Sequence, residues 1–302
     1  MTVLERLGGV LAPLTTPFDR VTGDVAPIAL RANARAILEA GATGLVVAGS
    51  TGEAPLLTEE ECRKSVGWVR EVMNDEHVLI VGAGRESTRS TVAACRAAAE
   101  EGAQTALVRP PVYFASALSR QAVVDHFRAV ADESPIPILL YNIPKYTNLP
   151  LSAFVLASLA DHPNVIGAKD SSGDLKNFAA YRDVVPEWRL FIGSGALLYA
   201  ALELGAVGGI LAVANFAIDT AVTIARLFDS GDKAAAGRAQ ERLTPLHKEI
   251  VGGLGPAGVK GAMDAVGLTG GPVRGPLANL SDADGDRINS LLRTAGLIPA
   301  EV

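Results

Sequence analysis

Residues 165–174 read VIGAKDSSGD. Val165, Ile166, Gly167 and Ala168 suit a buried strand, and they run straight into Lys169 and then into polar, glycine-containing sequence. The same pattern, a β-rich apolar run that ends in polar or glycine residues, recurs along the chain. It appears as VLAPLTTP at 10–17, GLVVAGS at 44–50, HVLIVGAG at 77–84, TALVRPP at 105–111, IPILLYNIP at 136–144, RLFIGSG at 189–195 and GGILAVAN at 208–215. With 165–172 these make eight runs. The intervals, such as EEECRKSVGWVREVMND and STRSTVAACRAAAEEG, carry helical periodicity and good helix formers. Strand–helix alternation means parallel strands joined by crossover helices. Eight such units match the roughly 250 residues of a (β/α)8 barrel.

The predicted fold class is therefore α/β: a (β/α)8 TIM barrel, with an open doubly wound sheet as the alternative. Beyond Arg226 the strand signal stops. SGDKAAAGRAQERLTPLHKEIV, AGVKGAMDAVG and SDADGDRINSLLRTAG read as helices, the last with Ser281 as its N-cap. Residues 1–225 are expected to form the barrel, the catalytic domain, and residues 226–302 a C-terminal helical subdomain packed on it.

Composition narrows the partners. The chain has 302 residues, 49% hydrophobic and 20% charged, enough for a large core. A net charge of −6 leaves no basic footprint for nucleic acid and no cationic cluster for anionic lipid. Cys62 and Cys95 lie far apart in helix-like segments and form neither a CxxC pair nor a disulfide framework, which fits a reducing cytoplasm. MTVLERLGGVLAPL has no basic start followed by an apolar run, so no signal peptide is expected. The most apolar region, 204–218, is too short and too broken by glycines and Asn215 to span a bilayer.

In a barrel of this kind the active site lies at the C-terminal strand ends. Thr15–Thr16, Ser50–Thr51–Gly52–Glu53, Tyr113, Tyr141–Asn142, Lys169 and Gly193–Ser194 all fall there. The histidines do not. His77 and His162 precede their strands, His126 lies in a helix, and His247 belongs to the appendage. Without a His and carboxylate cluster, no metal site is expected.

An amine beside phenols and hydroxyls suits covalent catalysis. A neutral amine attacks a ketone, and the protonated imine is an electron sink for making or breaking the next bond but one. The apolar wall of VIGA favours the neutral amine. Tyr141 can carry protons, and the GSTGE turn can hold a small carboxylate. A plainer reading stands beside this one: Lys169 as a strand-end ion-pair lysine, for instance with Asp170, and Tyr141 as a core residue. GLGPAG at 253–258 has G-x-G-x-x-G spacing but follows a helix, so it is not taken as a dinucleotide site.

The motifs GSTGEAPLLTEEE, YNIPKYTN, GAKDSSGD and GSGALLYAALELGAVGGILAVAN, in this order and spacing, resemble the dihydrodipicolinate synthase / N-acetylneuraminate lyase superfamily. The resemblance covers nearly the whole chain. It implies a barrel, a pyruvate-type Schiff base with no other cofactor, and a homotetramer built as a dimer of dimers. By position, Lys169 matches the Schiff-base lysine and Tyr141 the proton-shuttling tyrosine. Ser50 and Thr51 match the residues that hold the pyruvyl carboxylate, with Ser50 also in the proton relay. Tyr113 matches a relay tyrosine that the neighbouring subunit often contributes, although PPVYFASALS differs in length from the synthase pattern. Gly193 and Ile210 match backbone positions lining the pocket.

The departures bear on substrate. Synthases that use aspartate semialdehyde carry an arginine where this chain has Tyr146. Sialic-acid lyases carry acids just after the strand-seven glycine, where this chain has GSGALL. The pattern is most similar to 4-hydroxy-2-oxoglutarate aldolase, including Ser171 two residues after the lysine. The expected activity is thus a metal-independent 2-oxo acid aldolase that cleaves a short 4-hydroxy-2-oxo acid to pyruvate and an aldehyde. Alternatives are dihydrodipicolinate synthase, a related sugar-acid aldolase or dehydratase, and a non-catalytic relative that binds an oxo acid.

Overall fold

The computed structural model describes residues 2–300. Eight strands form a closed barrel of parallel neighbours in sequence order. They are β1 (Gly9–Pro13), β2 (Gly44–Val47), β3 (Val78–Gly82), β4 (Thr105–Val108), β5 (Ile138–Asn142), β6 (Val165–Asp170), β7 (Arg189–Ile192) and β8 (Gly208–Ile210). Pairing of β1 with β8, Gly9 against Gly208 and Leu11 against Ile210, closes the ring and excludes the open sheet. The seam demands glycine at 208: its φ is +152°, and a Cβ there would lie 1.8 Å from the Gly9 carbonyl oxygen.

Alternate residues point inward. Leu11, Val46, Ile80, Leu107, Leu139, Tyr141, Phe191 and Ile210 fill the barrel as one apolar cluster. The opposite faces of the strands meet the surrounding helices in a second, larger cluster. The apolar runs seen in sequence extend past the strands because their last residues form the loops of the C-terminal face. Among the described residues no helix is long and apolar enough to cross a membrane.

After the helix Ile218–Asp229 come the tail helices Lys233–Pro245, Leu254–Ala265 and Asp282–Thr294. Ser281 caps the last, as its sequence predicts. The stretch expected to be one helix over 230–251 instead changes at Pro245 into a wide π-helical segment, Leu246–Gly253. Proline has no N–H to give the preceding turn, and the winding loosens after it.

The tail is fastened to the loop after β2. Lys260 Nζ meets Glu53 Oε1 at 2.5 Å, with both side chains essentially inaccessible. The ammonium also donates to the Pro272 carbonyl at 2.7 Å and lies 4.4 Å from the Phe18 ring centroid. Burial pulls the Lys260 amine below its usual range, against the pull of Glu53. Arg274 grips both oxygens of Glu61 at 2.8 and 2.7 Å, and its backbone N–H donates to Glu53. Glu61 also closes a capping box with Thr58 at the start of the helix Glu59–Arg70.

Two outcomes follow for stability. Glu53→Gln or Lys260→Met leaves one buried group without its partner and should cost about 3–5 kcal/mol in denaturant unfolding. Arg274 holds the Glu61 carboxyl down at about 2, below its ordinary 4.5. A carboxyl lowered by folding stabilises above its unfolded pKa, and that stability is lost as pH falls from 4.5 towards 2. Arg274→Gln should therefore flatten the acid limb of the unfolding free energy; a limb as steep as that of the parent chain would assign it to other groups.

Candidate active site

Lys169 on β6 and Tyr141 on β5 are register partners, so both side chains leave the sheet towards the barrel axis. Lys169 Nζ donates to the Tyr141 hydroxyl at 3.3 Å and lies 4.4 Å from its ring centroid. The two residues are 5% and 6% exposed, a degree of burial at which lysine ordinarily has a counter-charge. Asp170 is not that counter-charge. It points to the other face, where its carboxylate accepts from Asn142 Nδ2, the Ser172 N–H and hydroxyl, and Asn177 Nδ2 at 2.8–3.2 Å. Among the described residues Lys169 makes no ion pair, so the strand-end salt bridge is not formed.

Above the amine lies a cavity of about 250 Å³. Lys169, Tyr141, Ser50, Thr51, Ser171, Gly193, Ile210 and Tyr146 all line it. Ser50 and Thr51 ride on a turn held by its own backbone: Gly52 and Ala54 N–H donate to the Gly49 carbonyl, and Glu53 N–H to that of Ser50. Ala48 and Glu53 at its ends take left-handed conformations. Thr16 Oγ1 donates to the Gly52 carbonyl at 2.7 Å, and the Glu53–Lys260 pair anchors the far end. Among the described residues the Ser50 and Thr51 hydroxyls make no bond within the chain, so both are available to a ligand. Gly193 leaves room for Ser171, since a Cβ there would sit 1.9 Å from Ser171 Oγ.

The sequence profile of the Dihydrodipicolinate synthetase family matches residues 6–295. This chain belongs to that family. It is 35% identical over 292 residues to an uncharacterised DapA-like lyase of Halobacterium salinarum, covering 97% of this chain and 95% of that one. It is 33% identical to a 4-hydroxy-tetrahydrodipicolinate synthase of Methanoculleus marisnigri, over 95% and 99% of the two chains. The fold superimposes on a chloride-inhibited dihydrodipicolinate synthase of Acinetobacter baumannii, solved with pyruvate, at a TM-score of 0.92 and 28% identity, covering 97% of this chain and all of the other. Membership of the dihydrodipicolinate synthetase family makes the protein an enzyme, a carbon–carbon lyase of the pyruvate-dependent class I type. That class works through an enzyme lysine rather than a metal or separate cofactor.

Two expectations change in this family member. His247 does not stay away with the appendage: the π-helical segment carries it over the barrel mouth, where it lines the cavity. Its Nδ1 accepts the Gly195 N–H at 3.2 Å, which leaves the proton on Nε2, 3.1 Å from Ser194 Oγ. Ser194 then accepts from the ring and keeps its own proton to donate elsewhere. Burial, and next to it the Lys145 charge, pull the His247 imidazole down to about 4. GLGPAG, set aside as a nucleotide loop, supplies Gly255 and Pro256 to the same wall. No sequence period marks either feature, because both depend on how the tail folds back.

Tyr113 is not at the site within this chain. It is 82% exposed, edge-on to Phe114 at 4.9 Å, while its backbone N–H is held by Glu86. Tyr146 does line the cavity, where burial and then Tyr141 push its phenol up. Among the described residues no three His, Cys, Asp or Glu side chains are grouped to hold a metal.

The His247 geometry is open to a direct measurement. A ring NMR titration should place His247 near pH 4, with Nε2 protonated at neutral pH. A midpoint near 6.5 would mean a solvated imidazole that does not orient Ser194.

Proposed function

We propose that the protein is a lysine-dependent 2-oxo acid aldolase that cleaves 4-hydroxy-2-oxoglutarate, or a close short-chain analogue, to pyruvate and an aldehyde. One observation carries this reading: a buried lysine that among the described residues has no ion pair, 3.3 Å from a tyrosine hydroxyl, under a cavity whose Ser50 and Thr51 hydroxyls have no partner among those residues. Ser50 and Thr51 hold the pyruvyl carboxylate. Lys169 Nζ attacks C2, water leaves, and a protonated imine remains. Tyr141, with Ser50, moves protons between the amine, the departing water and the C4 hydroxyl. As the C4 hydroxyl gives up its proton, the C3–C4 bond breaks and its electron pair passes through C3 to the imine nitrogen. The aldehyde departs. C3 of the resulting enamine takes a proton, and water releases pyruvate from Lys169.

Gly193 and Ile210 shape the floor through their backbone, and Ser171 and Tyr146 face the aldehyde half. Tyr113, exposed beside Phe114, completes the relay from a second copy, in a homotetramer made as a dimer of dimers. A cytoplasmic setting goes with this reading. The synthase named among the relatives is the second reading, since the chain shares about a third of its residues with it. Tyr146 disfavours it: a tyrosine cannot make the bidentate, charge-assisted contact that arginine gives a carboxylate.

Pyruvate with borohydride should inactivate the protein and add a pyruvyl-derived mass to the Lys169 peptide. Labelling elsewhere, or none, removes the covalent mechanism. Tyr141→Phe should lower kcat by roughly 10²–10⁴-fold while imine trapping weakens less; an unchanged kcat would make Tyr141 a packing residue. Cleavage of 4-hydroxy-2-oxoglutarate should exceed dihydrodipicolinate formation in kcat/KM on one preparation. The reverse order would overturn the substrate assignment.

A further inference from the structure

The cavity mouth holds a cation that the sequence motifs do not single out. Lys145 follows Pro144 in the short helix Pro144–Thr147 and lines the cavity with Tyr146. Its Nζ donates to the Gly252 carbonyl at 3.1 Å, and among the described residues it has no carboxylate partner. An ammonium has three donors, so two remain for a ligand. The wall as a whole is unbalanced. Lys145 and Lys169 both line it, and among the described residues no Asp or Glu does.

We infer that Lys145 holds a second carboxylate of the substrate and makes the pocket selective for dicarboxylic 2-oxo acids. The inference rests on the proposed aldolase reading and names its substrate class. With one carboxylate held by Ser50 and Thr51, a second at the rim meets Lys145. Tyr146 beside it contributes at most a neutral hydrogen bond. An amino-acid semialdehyde also brings a carboxylate, but it carries an ammonium on the adjacent carbon. Among the described residues no acidic side chain in the wall can take that ammonium, and the Lys145 charge repels it. A monocarboxylic 2-oxo acid brings no second carboxylate to Lys145, whose exposed ammonium then keeps only the Gly252 carbonyl and water.

Lys145 also sits near the carboxyl end of the π-helical segment, where a cation satisfies exposed carbonyls. That role predicts a loss of stability without a change in selectivity, so the two can be told apart. The experiment is calorimetric binding of 2-oxoglutarate and of 2-oxopentanoate, which has the same chain length and one carboxylate. Both are titrated into the parent protein, Lys145→Met and Lys145→Arg. The parent should prefer 2-oxoglutarate by roughly 10- to 100-fold, the range of one charge-assisted hydrogen bond. Lys145→Met should abolish the preference with 2-oxopentanoate affinity unchanged, and Lys145→Arg should keep most of it.

Equal affinities in the parent, or equal weakening of both acids in Lys145→Met, would overturn the inference. Borohydride labelling of Lys169 by pyruvate, run on the same proteins, reads the aldolase proposal separately. Lost labelling with intact binding selectivity would remove the aldolase and keep Lys145; intact labelling with no selectivity would remove Lys145 alone.

Discussion

The buried contact between Glu53 and Lys260 joins the two parts of the chain that make the active site. Glu53 ends the turn that presents Ser50 and Thr51, and Lys260 belongs to the tail helix that walls the cavity. Two charges taken out of water are costly, and each is tolerable only because the other is there. Arg274 adds a second tie to the same loop through Glu53 and Glu61. The roof of the site is thus fixed to its carboxylate-binding turn by charge, while the barrel beneath is held by apolar packing.

The floor follows the opposite rule. Lys169 is buried and, among the described residues, left without a counter-ion, although an aspartate stands next to it in sequence. Strand alternation sends Asp170 to the other face, and four hydrogen bonds keep it there. A carboxylate within reach of Lys169 would pair with the amine and compete with the substrate for it. The side-chain network around Asp170 therefore serves the amine by staying away from it, and it stiffens the strand end from which the amine projects.

Much of this was legible in the sequence. All eight strands appear as apolar runs because each is short, buried on both faces and followed by polar residues. The sequence leaves a pairing of Lys169 with Asp170 open, and the structure excludes it because the one-residue offset along β6 sends the two side chains to opposite faces. Of the cavity residues, Ser50, Thr51, Tyr141, Lys169 and Gly193 follow from their positions at strand ends, whereas Ser171, Ile210 and Tyr146 follow only from the family resemblance. His247, Lys145 and the Glu53–Lys260 pair follow from neither. A π-helical turn has no periodic signature, a rim lysine looks like any surface lysine, and a contact between residues 53 and 260 is not a local property. What the strands contribute was readable; what the tail contributes depends on a long-range docking that no short motif encodes.

The seam between β1 and β8 has a consequence for how the chain is made. A growing chain exposes the free edge of β1 from early in synthesis, and its closing partner at Gly208–Ile210 emerges only after the other six strands. Pairing so distant in sequence carries a large loop-closure cost and forms late. Until then the nascent barrel is an open sheet with an unsatisfied edge, the state most prone to pairing with a neighbour. Lys260 emerges later still, so a chain stalled before it carries its amine without a roof. Premature termination would then yield an aggregation-prone fragment rather than a weaker enzyme.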